Sequence, residues 1–215
     1  MRKAAVLALA LALPALTSAQ TFQHVPDPYK GTFVFENKGF CTGFAVRREG
    51  RRVYGYTAHH CLHGAKPGGD TIFWATDPAK GDHYGRIRFH CAENDVAEVS
   101  FETDRPVELL ETTTGIPLRG TVIWAVGVAG NWSIVQPWVP LVTWGVWIGT
   151  EMRWVNEGVV MITYQSSLPI SKGMSGGPVS YEGKVFGMTT VGHDPTPSSP
   201  WSGIALLSSL KLGCP

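Results

Sequence analysis

The 215-residue chain has no excess of charge of either sign: 18 Lys and Arg stand against 17 Asp and Glu, for a net charge of +1. Nucleic-acid binding rests on a basic footprint that neutralises phosphates, so a balanced chain argues against that partner. The nearest thing to a basic block is Arg47, Arg48, Arg51 and Arg52. These four flank Glu49-Gly50 and read as a charged turn between strands. After the opening segment there is no apolar run long enough to cross a bilayer as a helix. Cys-x-x-Cys is missing, and so are repeated ligand pairs at zinc-finger spacing. The cluster His59, His60, Cys61 and His63, with His90 before Cys91, therefore lacks the pattern of a metal site, and no metal or cofactor is expected. Helical periodicity is scarce as well, and is confined to ALLSSLKLG, residues 205–213.

What is present begins with an exported chain. MRKAAVLALALALPALTSAQ sets Arg2 and Lys3 before an apolar run from Ala4 to Leu13, and small residues Thr17-Ser18-Ala19 follow. That is the layout of a secretory signal peptide over residues 1–19, with cleavage near Ala19. It predicts a secreted or periplasmic protein without membrane attachment after cleavage. The remainder reads as short strands rich in aromatic and β-branched residues: TFVFE, FCTGFAV, VYGYTA, TIFWAT, GRIRFHC and DVAEVSF, then TVIWAVGV, SIVQPWV, TWGVWIGT, VVMITYQ, GPVSY and KVFGMTTV. Frequent Gly and Pro between them point to an all-β barrel or sandwich. A polar, Pro-containing bridge near residues 103–120 divides the chain into halves, 20–110 and 111–215, with no sequence repeat between them.

Four cysteines, Cys41, Cys61, Cys91 and Cys214, suit two disulfides in an exported protein, in any of three pairings. The chain has eight tryptophans, and Trp124, Trp132, Trp138, Trp144, Trp147 and Trp154 are among those in the second half. Core and strand-edge packing explains them better than an aromatic sugar-binding face.

Three segments carry candidate chemistry: Thr57-Ala58-His59-His60-Cys61, Asn94-Asp95-Val96-Ala97 and Gly173-Met174-Ser175-Gly176-Gly177-Pro178. Singly, each is an ordinary strand end, turn or glycine-rich loop. Together, in the order His, Asp, Ser, they resemble the chymotrypsin-like (trypsin-fold) serine peptidases, in their compact bacterial and viral-type branch. TAHHC is similar to that family's TAAHC, NDVA to its aspartate-bearing strand, and GMSGGPV to its GDSGGPL. The resemblance runs from about residue 40 to 192.

It implies two packed antiparallel β-barrels with a short C-terminal helix, and a catalytic triad in the cleft between them. In that triad His60 is the general base, Asp95 its orienting carboxylate and Ser175 the nucleophile. Gly173 and Ser175 amides form the oxyanion hole, and Ser175 Oγ lies within hydrogen-bond reach of His60 Nε2. Pro169, Ile170, Lys172, Thr190, Gly192 and His193 fall near the expected substrate-binding positions. Pro169 in place of a pocket-floor aspartate argues against a Lys or Arg preference. A Cys41–Cys61 bridge is implied, which leaves Cys91 and Cys214 for the second. The implied activity is that of a monomeric secreted serine endopeptidase acting on peptide or protein substrates without a cofactor. The rival is a non-catalytic or conditionally active binding protein on the same fold.

Met174 departs from the pattern. Trypsin-type zymogens carry an aspartate there, which pairs with a newly cleaved amino terminus, and no matching activation site follows the signal peptide. That switch is therefore not expected here. G-M-S-G-G also fits the nucleophile elbow of α/β-hydrolases. That fold requires an acid and then a histidine after the serine. Only Glu182, in a hairpin turn, and His193 follow Ser175 closely, and alternating β and α segments are missing.

Overall fold

The computed structural model describes residues 25–27, 30–36, 40–62, 64–75, 82–128, 140–156, 159–192 and 201–212. The signal peptide, His63, the strand expected at 133–139 with Trp138, Trp132, His193 and Cys214 lie outside them.

Six strands form the first barrel: β1 (Thr32–Glu36), β2 (Phe40–Glu49), β3 (Arg52–Thr57), β4 (Asp70–Ala75), β5 (Asp82–Cys91) and β6 (Val96–Glu102). They close antiparallel in the order β1-β2-β3-β6-β5-β4, with β4 returning to β1. The second barrel contains β7 (Val122–Val128), β8 (Pro140–Asn156), β9 (Val159–Ser166), β10 (Pro178–Tyr181), β11 (Lys184–Gly192) and β12 (Ser202–Leu206). Its order, β7-β8-β9-β12-β11-β10, repeats that of the first. The repeat is one of topology alone. Closure removes free sheet edges, and each barrel then needs only apolar residues on its inner face, whatever their identity.

The inner faces supply the cores. Phe33, Val53, Leu62, Ile87, Val99 and Phe101 fill the first barrel, with Phe33 and Phe101 edge-on at 4.9 Å. Ile123, Trp147, Leu168, Met174, Phe186 and Ile204 fill the second. Burying each such side chain contributes about 1.5–3 kcal/mol relative to exposure. A third cluster joins the barrels: Phe44 and Val96 from the first meet Val185, Met188, Ala205 and Leu207 from the second. The linker straps across this seam. Leu110 N–H donates to Ala45 C=O at 2.9 Å, and Val185 N–H to Glu111 C=O at 2.8 Å.

Two local expectations shift. The C-terminal helix is shorter and tighter than its sequence suggested. Ala205 and Leu206 belong to β12, and only Leu207–Leu212 turn, as a 3₁₀ helix. All of Ser202–Leu206 is buried, so periodicity alone does not separate strand from helix there. The tryptophans divide. Trp147 is 2% exposed and packs edge-on against Phe186 at 5.3 Å, whereas Trp144 is 55% exposed.

Candidate active site

The pairing of β3 with β6 builds the first half of the site. Thr57, at the end of β3, lies opposite Ala97, so the chain leaving β3 meets the chain entering β6. His60 sits in the 3₁₀ turn His59–Leu62 that follows β3. Asp95 sits in the tight turn before β6, at φ 50°, a left-handed conformation that Asp tolerates better than most residues. Its backbone and side chain both serve the turn opposite. His59 N–H donates to Asp95 C=O at 3.1 Å, and His60 N–H to Asp95 Oδ1 at 2.8 Å. His60 Nδ1 lies 2.8 Å from Asp95 Oδ2 and 3.1 Å from Oδ1. The carboxylate accepts, so Nδ1 carries the proton and Nε2 is left as the basic end of the ring.

Asp95 is fully buried and the His60 side chain is 23% exposed. Burial of the ring works against its charge. The Asp95 carboxylate, through its charge and its hydrogen bond, outweighs that, and the imidazole pKa rises above its ordinary 6.5. The 3₁₀ turn is also fixed covalently by the Cys41–Cys61 disulfide, across 20 residues. The sulfurs of Cys41 and Cys61 lie within 4.8 Å of a His60 ring nitrogen, but joined to each other they offer no thiolate to a metal.

The second half is the turn Ser171–Gly177, which leads into β10. Its backbone groups can be accounted for one by one. Met174 N–H donates to Ser171 C=O at 3.1 Å, Gly177 N–H to Met174 C=O at 2.9 Å and Gly176 N–H to Thr189 C=O at 2.7 Å. Thr189 Oγ1 also donates to Met174 C=O. Thr42, from the other barrel, donates through Oγ1 to Gly173 C=O and through N–H to Ser175 C=O, both at 2.8 Å. Gly173 N–H and Ser175 N–H have no acceptor among the described residues. In a trans peptide N–H points opposite to C=O. Holding Met174 C=O against Thr189 therefore turns the Ser175 N–H the other way. Gly173, at φ 92°, takes the third position of a type II turn, where a side chain would be strained.

Met174 is 0% exposed and packs into the second barrel's core. Gly176, at φ 82°, has no room for more than hydrogen. A Cβ there would lie 2.8 Å from Ala58 N, and closer still to Thr42 O and Thr57 Oγ1. The two halves meet here: Cys61 Sγ is 4.0 Å from the Ser175 carbonyl oxygen. The Ser175 hydroxyl faces elsewhere than the sequence suggested. Oγ donates to Thr190 C=O at 2.8 Å, and no hydrogen bond joins Ser175 to His60.

The trypsin-like peptidase domain matches residues 41–188, a span that includes both halves of this site. The chain belongs to the trypsin-like peptidase domain family. Solved structures agree on the fold. A serine-to-alanine mutant of Rv3671c from M. tuberculosis H37Rv, in an inactive form, is 16% identical over 84% of this chain and 83% of that one, with a TM-score of 0.63. The MamO protease domain from Magnetospirillum magneticum, in its apo form, is 15% identical over 86% of this chain and 95% of that one, with a TM-score of 0.65. No curated protein matches.

Within this peptidase family the other expected positions fall into distinct settings. Pro169 and Lys172 are exposed, and Thr190 is buried beside Ser175, its Oγ1 without a hydrogen-bond partner among the described residues. Gly192 pairs with Ser202 through β11 and β12. Ile170 is 5% exposed and packs with Met174 in the core, so its side chain faces inward. Cys91 is disulfide-bonded, and Cys214, the cysteine expected to pair with it, lies outside the described residues. Thr42 and Thr189 escaped sequence reasoning. Their partners in the turn are 131 and 15 residues away, and a threonine in a strand carries no local sign of such a task.

Proposed function

We propose that the chain is a secreted serine endopeptidase in which His60, Asp95 and Ser175 form the catalytic triad. One observation carries this reading. A buried carboxylate holds His60 Nδ1, close to a turn that presents Ser175 together with the Gly173 and Ser175 N–H groups, which have no acceptor among the described residues. Ser175 Oγ rotates from the Thr190 carbonyl toward His60 Nε2, which takes its proton as Oγ attacks the substrate carbonyl carbon. Negative charge gathers on the carbonyl oxygen, where the Gly173 and Ser175 amides receive it. As the C–N bond breaks, the His60 proton goes to the leaving amine. Water, deprotonated by His60, then attacks the acyl-enzyme and releases Ser175. Residues 1–19 act as the export signal, 20–110 supply the base and its carboxylate, and 111–215 supply the nucleophile, in a monomer.

The Ser175–Thr190 hydrogen bond favours a second reading, a conditionally active or non-catalytic protein of the same fold. Labelling with a fluorophosphonate separates the two. The native chain is expected to label and to cleave peptides. Ser175→Ala is expected to abolish labelling and to lower kcat on the order of 10⁶-fold. A native chain that stays unlabelled, or labelling that survives Ser175→Ala, overturns the triad.

A further inference from the structure

Thr42 occupies an unusual place for a strand residue. It is fully buried in β2, beside the Cys41–Cys61 disulfide, and all its hydrogen-bonding groups are engaged. Its hydroxyl donates to Gly173 C=O at 2.8 Å and accepts from Val128 N–H at 2.9 Å. Its N–H reaches Ser175 C=O at 2.8 Å, and its C=O accepts from Thr57 Oγ1 at 2.9 Å. One residue of the first barrel thus holds Gly173 and Ser175, whose amides have no acceptor among the described residues, the end of β7 in the second barrel, and the strand that leads to His60.

We propose that Thr42 is a positioning residue that sets the register between the oxyanion-binding turn of one barrel and the histidine base of the other. The inference rests on the peptidase reading above. Gly173 has no side chain to anchor it and accepts a wide range of backbone angles, so its place must be imposed from outside. The sole side-chain donor to its carbonyl among the described residues is the Thr42 hydroxyl. The base and the hole are built on separate barrels, and a shift of one against the other displaces the reacting carbonyl from one of them. A misplacement of about 1 Å costs on the order of 100-fold in rate. Thr42 makes no hydrogen bond to His60. It acts through the turn, so its effect belongs to the transition state and not to ground-state binding.

The test uses the exported chain carrying Thr42→Val, Thr42→Ala or Thr42→Ser, with kcat and KM measured on one peptide and active sites counted by titration. Valine keeps the shape and the backbone N–H bond to Ser175 and removes only the hydroxyl. Thr42→Val and Thr42→Ala are expected to lower kcat about 10- to 100-fold with KM nearly unchanged. Affinity for a peptide boronic acid, whose serine adduct is tetrahedral, should fall in step with kcat/KM. Thr42→Ser, which returns the hydroxyl, should recover most of the loss. If Val fails to fold, Ala and Ser carry the comparison. An active native chain with Val or Ala at full kcat, or Ser falling as far as they do, overturns this inference alone. A native chain that neither labels nor cleaves overturns the peptidase reading, and this inference with it.

Discussion

The two barrels share one strand order but secure their parts of the site by different physics. The first relies on charge and covalency. His60 is held by a buried carboxylate and by a turn bound through the Cys41–Cys61 disulfide. The second relies on packing and backbone hydrogen bonds. Ser175 rides on a turn anchored by the buried Met174 and by bonds to its carbonyls. On the proposed mechanism, the difference follows from what each part must offer. A base needs a set tautomer and a tuned affinity for protons, which a carboxylate supplies. In that mechanism the N–H groups of Gly173 and Ser175 must stay unspent to receive negative charge, so at those two residues the fixings act on the carbonyls.

The sharpest way to break this contrast is to put charge where the second barrel uses apolar contact. Met174→Asp places a carboxylate in a core that holds no cation among the described residues, and a buried charge left uncompensated costs about 3–5 kcal/mol. The melting temperature should drop sharply and labelling of Ser175 should vanish. Met174→Leu, close in volume, should cost under about 1.5 kcal/mol and keep activity. A well-folded, active Met174→Asp protein would refute apolar anchoring of the turn.

Next in size is the covalent fixing of the first barrel. Replacing Cys41 and Cys61 together by serine frees a closed loop of this length, worth about 3 kcal/mol in the chain-entropy account. Denaturant titration should show that loss. An unchanged unfolding midpoint would show that the ion pair and the barrel hold the turn without the bridge.

The smallest effect is the pH response. The His60 pKa is raised, so the rate should climb with pH along a limb whose midpoint lies above 6.5. For stability the sign is opposite. The His60 contribution is fully present below 6.5, where the ring is charged in folded and unfolded chains alike, and is lost as pH rises through the folded value. A kcat/KM profile with its midpoint at or below 6.5 would contradict the dominance of Asp95 over burial.

Much of the fold was legible because short β-rich runs alternate with turn residues, and because closing a barrel demands little beyond that pattern. The Cys41–Cys61 bridge and the His60–Asp95 contact were legible through motif wording, since both depend on residues close to a strand end. Three features were not. Met174 looked like the loss of an ionic anchor, and only its burial shows an apolar one in its place. Ile170 looked like a pocket residue, yet nothing local says which way a side chain in the irregular stretch between β9 and the turn will face. The Ser175 rotamer depends on a carbonyl of β11 that no sequence motif encodes.

Gly176 has a consequence for motion. The atoms that crowd its missing Cβ, from Thr42, Thr57 and Ala58, all belong to the opposite barrel. The glycine is therefore a gauge of clearance more than a source of flexibility: the bodies touch at a gap one hydrogen wide. Closer approach of the two barrels at this point therefore has almost no free travel. The same contact that leaves no space for a methyl group gives the molecule a hard stop, placed beside the serine.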